Sequence, residues 1–231
     1  MPVAVITGAS RGLGLSLATA LAERGWSLVV DARGADDLGS ATSRLPGGPH
    51  RVLPGDVTDP QHRSSIQAAA AALGGADLLV NNASTLGRSP LPTFAELATS
   101  TYEEILRVNV VAPMALAAAL LPQLREHAGR IVNVSSDAAV EGYGTWGGYG
   151  SSKAALDHAG RVLAVEEPGV RVYAVDPGDM RTQMQQDAFP GEDISDRSEP
   201  AEVVPALIRL IDGDLPSGRY RAAELIRGAA A

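Results

Sequence analysis

Val3-Ala4-Val5-Ile6-Thr7-Gly8-Ala9-Ser10-Arg11-Gly12-Leu13-Gly14 opens the chain, and LSLATALAERG carries the run on to Gly25. Val3 to Ile6 are all apolar and short in number, the pattern of a buried strand. From Leu13 onward, Leu13, Leu17, Ala20 and Leu21 recur at helical spacing, and Gly25 ends that helix. Between strand and helix lies a turn with Gly8, Gly12 and Gly14. Glycines there let the chain turn tightly and let backbone N–H groups approach a pyrophosphate at the helix N-terminus. The spacing is G-x-x-x-G-x-G rather than the commoner dinucleotide fingerprint. A glycine-rich turn without a ligand is the competing reading.

Outward from this unit, strand-like and helix-like segments alternate. Strands are expected at 26–32, 51–53, 77–80, 130–134, 170–175 and 218–222, and helices at 36–45, 60–73, 100–126, 149–165 and 201–211. This alternation implies an α/β fold with a parallel sheet covered on both faces. Pro113 should bend the long helix at 100–126, and Pro122 should break it. Residues 183–200 are polar, acidic and rich in breakers, as expected of a mobile lid or exposed loop. The Ala-rich end should fray. No linker or repeat interrupts the pattern, so residues 1–231 read as a single domain.

Composition narrows the function. A chain of 231 residues with 45% hydrophobic residues can bury a sizeable core. A net charge of -8 argues against nucleic acid and anionic membranes as partners. No cysteine is present, which excludes disulfides, thiolate nucleophiles and cysteine–metal sites; no metal site is expected. No apolar run is expected to reach membrane-spanning length, and no signal peptide precedes Val3. The expected location is the cytosol.

The chemistry concentrates in SSDAAVEGYGTWGGYGSSK, residues 135–153. A helix there puts Tyr149 and Lys153 on one face, one turn apart. A phenol with a pKa of about 10 is a poor acid–base catalyst at neutral pH. A neighbouring ammonium stabilises the phenolate and pulls that pKa down. Ser136 is placed to hydrogen-bond the oxygen on which the tyrosine acts. Lys153 is the only lysine, against eighteen arginines (nineteen Lys plus Arg, less one). Arginine is bulkier and never deprotonates, so it cannot replace a compact ammonium at a tight site.

Two readings of the cofactor stay open on the residues alone. Asp31 at the end of the second strand suits a ribose 2′-hydroxyl and NAD. Arg33 with Arg11 suits a 2′-phosphate and NADP. Asp56 either meets an adenine amino group or caps a turn. Asn81-Asn82-Ala83-Ser84 follows the fourth strand at its carboxyl end, where open α/β sheets bind ligands. The chain has four asparagines, and one of them, Asn109, sits mid-helix, where propensity disfavours it.

TGASRGLG, NNA, the mid-helix Asn109, Ser136, YGSSK and PGDMRT, in this order, resemble the short-chain dehydrogenases/reductases, specifically their short single-domain branch. The motifs span residues 7–182. The resemblance implies a Rossmann-like, doubly wound sheet of seven strands. It implies hydride transfer between a nicotinamide cofactor and a carbonyl or secondary alcohol of a small molecule. Tyr149 would be the general acid/base. Lys153 would lower its pKa and hold the nicotinamide ribose. Ser136 would polarise the carbonyl, and Asn109 would support a water-linked relay to Lys153. Cofactor contacts would come from Gly8, Ser10, Arg11, Gly12, Leu13, Gly14, Arg33, Asp56, Val57, Asn82, Ala83, Tyr149, Lys153, Pro177, Gly178 and Thr182, with Thr182 on the carboxamide and Asn82 near the nicotinamide. In the family the acid of NAD-type members matches Ala32, and the basic residues of NADP-type members match Arg11 and Arg33. NADP(H) is therefore expected over NAD(H), with Asp31 able to pair with Arg33 and occupy it.

Ser84 stands where the family has glycine after NNA. The usual hydrophobic ending is absent, so a homodimer through the helices bearing Asn109 and Tyr149 is expected rather than a tetramer. Leu86, Phe94, Tyr143, Trp146, Met180, Met184 and Phe189 would wall the substrate pocket. Two rival functions share these motifs: a silent dinucleotide-binding sensor or scaffold, and a sugar-nucleotide epimerase or dehydratase.

Overall fold

Seven parallel strands form one sheet in the order β3-β2-β1-β4-β5-β6-β7. They are β1 (Val3–Ile6), β2 (Ser27–Ala32), β3 (Arg51–Pro54), β4 (Leu78–Asn81), β5 (Arg130–Val134), β6 (Arg171–Asp176) and β7 (Gly218–Arg221). This computed structural model describes residues 1–228. The expected fraying of the Ala-rich end concerns residues outside that range. The helices are α1 (Gly12–Glu23), α2 (Ala35–Thr42), α3 (Pro60–Ala72), α4 (Thr99–Leu106), α5 (Ala112–Glu126), α6 (Gly147–Glu166), α7 (Gln183–Ala188), α8 (Pro200–Asp212) and α9 (Ala222–Arg227). The expected Rossmann-like doubly wound sheet is therefore observed.

Alternation along each strand fills both faces, as a doubly covered sheet requires. Ala4, Ile6, Leu28, Val30 and Val80 meet Leu17 and Leu21 of α1 and Leu207 of α8 on one side. Val3, Val5, Val29 and Leu79 meet Ile66 of α3 and Leu116 and Leu120 of α5 on the other. Each helix starts where its sequence allows. Asp59 accepts from Gln61 N at 2.9 Å and Pro60 opens α3, where a missing N–H costs nothing.

The stretch expected as one bent helix at 100–126 is divided. A π-helical segment, Arg107–Val111, separates α4 from α5, with Ala112 N donating to Arg107 O. Pro113 explains it: without an N–H it cannot serve the Asn109 carbonyl, and the ladder slips by one residue. Pro122 does not break α5, which continues to Glu126. The expectation about apolar length also needs correction. Thr99–Glu126 is long and apolar enough to cross a membrane, with a mean hydropathy of 1.8. Its apolar face is instead part of the core, through Ile105, Leu116, Leu120 and Leu124. Nor is 183–200 a bare loop: it contains α7, buries Ile194 and bridges back to the chain through Met180 and Ser198.

Candidate active site

The sheet changes direction of winding between β1 and β4, and a cleft of about 1050 Å³ opens at their carboxyl ends. Thr7 ties the two strands together there. Its hydroxyl donates to Val80 O and accepts from the N–H groups of Asn82 and Ala83, both at 3.0 Å. Asn82 is not aimed at the far end of the cleft. Its side-chain amide donates to Thr7 O and Gly8 O at 2.9 and 3.0 Å, so it braces the glycine turn while its residue still borders the cleft. Gly8 has φ +69°, and a Cβ at Gly14 would lie 2.5 Å from Gly8 O. The turn closes only because both positions lack side chains. Gly14 thus stands behind the turn, while Gly8, Ser10, Arg11, Gly12 and Leu13 face the cleft.

These residues fit a dinucleotide. No side chain caps the N-terminus of α1 and no acid occupies its first turn, which leaves its N–H groups for an anion. Arg33, Asp56 and Val57 continue the lining past β2 and β3. Among the described residues, neither Arg11 nor Arg33 makes an ion pair, and both are exposed. The expected Asp31–Arg33 pair is absent. Asp31 is buried and accepts from Gly8 N and bonds His62 Nε2, each at 3.1 Å. Burial pushes its carboxyl above the ordinary value, against the pull of both partners. Asp56 accepts from Thr58 N at 2.8 Å, which is the turn-capping alternative.

At the other end, Tyr149 and Lys153 lie one turn apart on α6, 8% and 2% exposed. Lys153 Nζ donates to Val134 O at 2.8 Å and stands 5.5 Å from the centre of the Tyr149 ring. Burial pulls the ammonium pKa down to about 8, opposed by Asp157 one turn further along. Burial also pushes the Tyr149 phenol well above its ordinary range, opposed by the hydroxyls of Ser84 and Ser136. Desolvation thus dominates the phenol in this state, in place of the expected lowering by Lys153. Ser136 borders the cleft but donates to Asp137 Oδ1 at 2.9 Å, so polarising a substrate oxygen means exchanging that partner.

Asn109 does not reach the cleft. It is fully buried, and its side chain is saturated: Ser84 Oγ and Thr85 N donate to it, and it donates to Thr85 O and Ser152 Oγ, at 2.9–3.1 Å. In an α-helical ladder the donor to its backbone carbonyl would be Pro113, which has no N–H to give.

Pro177, Gly178 and Thr182 border the cleft beyond β6. Thr182 Oγ1 accepts from Gln185 N at 3.2 Å and starts α7. Of the expected substrate walls, Leu86, Trp146, Met180 and Met184 line the cleft. Phe94, Tyr143 and Phe189 do not. Phe94 packs on Tyr102, Tyr143 donates to Asp137, and Phe189 backs Trp146.

Three residues escaped the sequence reading. Ser84 donates to Asn109 Oδ1 at 3.1 Å, and its hydroxyl opposes the rise of the Tyr149 phenol, a role its place after Asn81-Asn82-Ala83 does not announce. Arg219 of β7 donates to Ser136 O at 2.8 Å and pairs with Asp157 at 3.1 Å, a contact across more than sixty residues that no local pattern announces. His62 meets Asp31 from α3, and only the i, i+31 pairing of strand and helix brings them together.

A profile of the short chain dehydrogenase family matches residues 2–193. The chain is 34% identical over 192 residues to an uncharacterized oxidoreductase, YIR035C, of Saccharomyces cerevisiae, covering 79% of this chain and 72% of that one. It is 36% identical over 199 residues to the benzil reductase ((S)-benzoin forming) IRC24 of the same yeast, covering 80% and 74%. Among solved structures, a short chain dehydrogenase from Shigella flexneri complexed with NADP superimposes with a TM-score of 0.88 at 27% identity, covering 96% of this chain and 97% of that one.

Proposed function

The chain belongs to the short-chain dehydrogenase family and is an oxidoreductase of that kind; from this premise we propose that it transfers a hydride between NADP(H) and a carbonyl or secondary alcohol, with Tyr149 as general acid/base. The observation that carries this reading is the placement of Tyr149 and Lys153 on one buried face of α6, at the border of a cleft whose other end presents two unpaired arginines. The bound cofactor supplies the hydride in reduction and accepts it in oxidation.

Burial makes Tyr149 hold its proton firmly, so donation to a carbonyl oxygen needs a charge beside the phenol that stabilises the phenolate it leaves. In the reverse direction the phenol must lose that proton, and the Lys153 ammonium is the charge that stabilises the phenolate. Ser136 turns from Asp137 to the substrate oxygen. The Asn109 carbonyl, freed by Pro113, accepts a water that links Lys153 to solvent. Arg11 and Arg33 hold the 2′-phosphate, Asp56 the adenine and Thr182 the carboxamide. Residues 183–200, with α7, close over the substrate as a lid. A homodimer forms across α6 and the helix containing Asn109 with α5 after it, where Val111, Val162 and Val165 are exposed.

Titration with NADPH and NADH, followed by nucleotide fluorescence, tests the cofactor; tighter NADPH binding is expected. A carbonyl panel with NADPH then tests the reaction. It begins with aryl ketones and diketones, because Trp146, Met184 and Leu86 make an apolar wall beside Tyr149 and one relative is named for benzil. Consumption of NADH alone, or of neither nucleotide, sinks the reading.

A further inference from the structure

We propose that His62 sets the cofactor preference, by holding the Asp31 carboxylate away from the nucleotide. The inference rests on the NADP(H) reading and concerns a residue outside the cleft.

Asp31 ends β2 and borders the cleft beside Arg33, where a 2′-phosphate would be held. A free carboxylate there favours a ribose diol and repels a phosphate. In this chain it is not free. Oδ1 accepts from Gly8 N and Oδ2 bonds His62 Nε2, both at 3.1 Å, and the residue is 3% exposed. Both oxygens are thus turned toward protein donors. His62 comes from the first turns of α3 and does not border the cleft. Gly55 leaves room for its ring: a Cβ there would lie 2.3 Å from His62 Nδ1. The glycine after β3 is therefore part of the device, since any side chain would push the imidazole off Asp31. The outcome is a site with an acid at the end of β2 whose charge is spent on the glycine turn. Arg11 and Arg33 are left as the groups that face the nucleotide.

The test compares dissociation constants of NADPH and NADH for four proteins: wild type, His62→Gln, His62→Leu and the double variant Asp31→Asn with His62→Leu. His62→Leu keeps bulk but loses the donor, so the NADPH:NADH preference should shift toward NADH by about tenfold. His62→Gln places an amide near the Nε2 position and should hold the preference within about threefold. The double variant should return to the wild-type preference, because no carboxylate remains to be released. An equal loss of both nucleotides in His62→Leu means that His62 only props the turn, and it overturns the proposal. So does failure of the double variant to restore the ratio. Asp31→Asn alone, which leaves His62 packed, is an independent arm if the leucine variant does not fold. A preference within about threefold of wild type is expected there; a gain of tenfold or more for NADPH means the carboxylate was repelling the phosphate despite His62. A wild-type preference for NADH would defeat the NADP(H) reading separately. The direction of the His62→Leu shift would still judge the pair.

Discussion

The two ends of the cleft are built in opposite ways. At the nucleotide end Arg11 and Arg33 are exposed and make no ion pair among the described residues, and the buried acid beside them, Asp31, is turned to Gly8 N and His62. At the catalytic end the polar groups are buried or half-buried, and several are already bonded: Lys153 to Val134 O, Ser136 to Asp137, Asn109 to four partners. Exposed charges are screened by water and salt, so they change affinity by modest factors and select among ligands. Buried groups lack that screening, so their proton affinities move far from ordinary values. On the proposed function, recognition falls to groups that water tempers and proton transfer to groups that are largely desolvated.

The largest effect should come from the buried end. Tyr149→Phe removes the only phenol proton there and should lower kcat by about a thousandfold while NADPH binding changes less than about threefold. Near-normal turnover would erase the contrast between the ends. Lys153→Met sharpens it through stability. The folded pKa of about 8 lies below the ordinary lysine value of 10.5, so the unfolded chain holds the proton more tightly. The cost of the buried ammonium is fully present below pH 8 and fades as pH rises toward 10.5. Wild type should therefore gain about 3 kcal/mol relative to Lys153→Met across that window, read from urea unfolding at several pH values. A flat difference would mean the ammonium is not desolvated.

The exposed end should respond less. Arg33→Ala should weaken NADPH by about tenfold and NADH by less than about twofold, and high salt should narrow the gap. Equal losses would show that the arginine does not read the phosphate. The smallest effect is expected at Ser84, which is not at positive φ and so tolerates its side chain. Ser84→Gly should slow turnover by about threefold, since one hydroxyl that opposes the rise of the phenol is lost. Faster turnover in that variant would mean the serine hinders Tyr149.

How much of this was legible beforehand depends on the range of each contact. The strand–turn–helix at Val3–Glu23 and the Tyr149–Lys153 pair are local: periods of two and of three to four residues carry them, and both stand as read. Asn109 was singled out as a misfit in a helix, and the misfit is real. Its side chain is bonded to Ser84, Thr85 and Ser152, from two other segments, and no local pattern announces those contacts. The effect of Lys153 on Tyr149 was read from charge alone; in the structure burial, which depends on everything packed above α6, is the largest influence on the phenol.

By itself the sequence determined the alternation of strands and helices, the parallel sheet that follows from it, and the side chains that chemistry requires. These depend on neighbours a few residues apart, where periodicity and residue type suffice. Tertiary structure alone decided how each group is used: that Asp31 is spent on Gly8 and His62, that Asn82 braces a turn, that Arg219 reaches Ser136 across the sheet. Those outcomes depend on burial and on partners distant in the chain. Proton affinity and hydrogen-bond occupancy are properties of that environment, not of the residue.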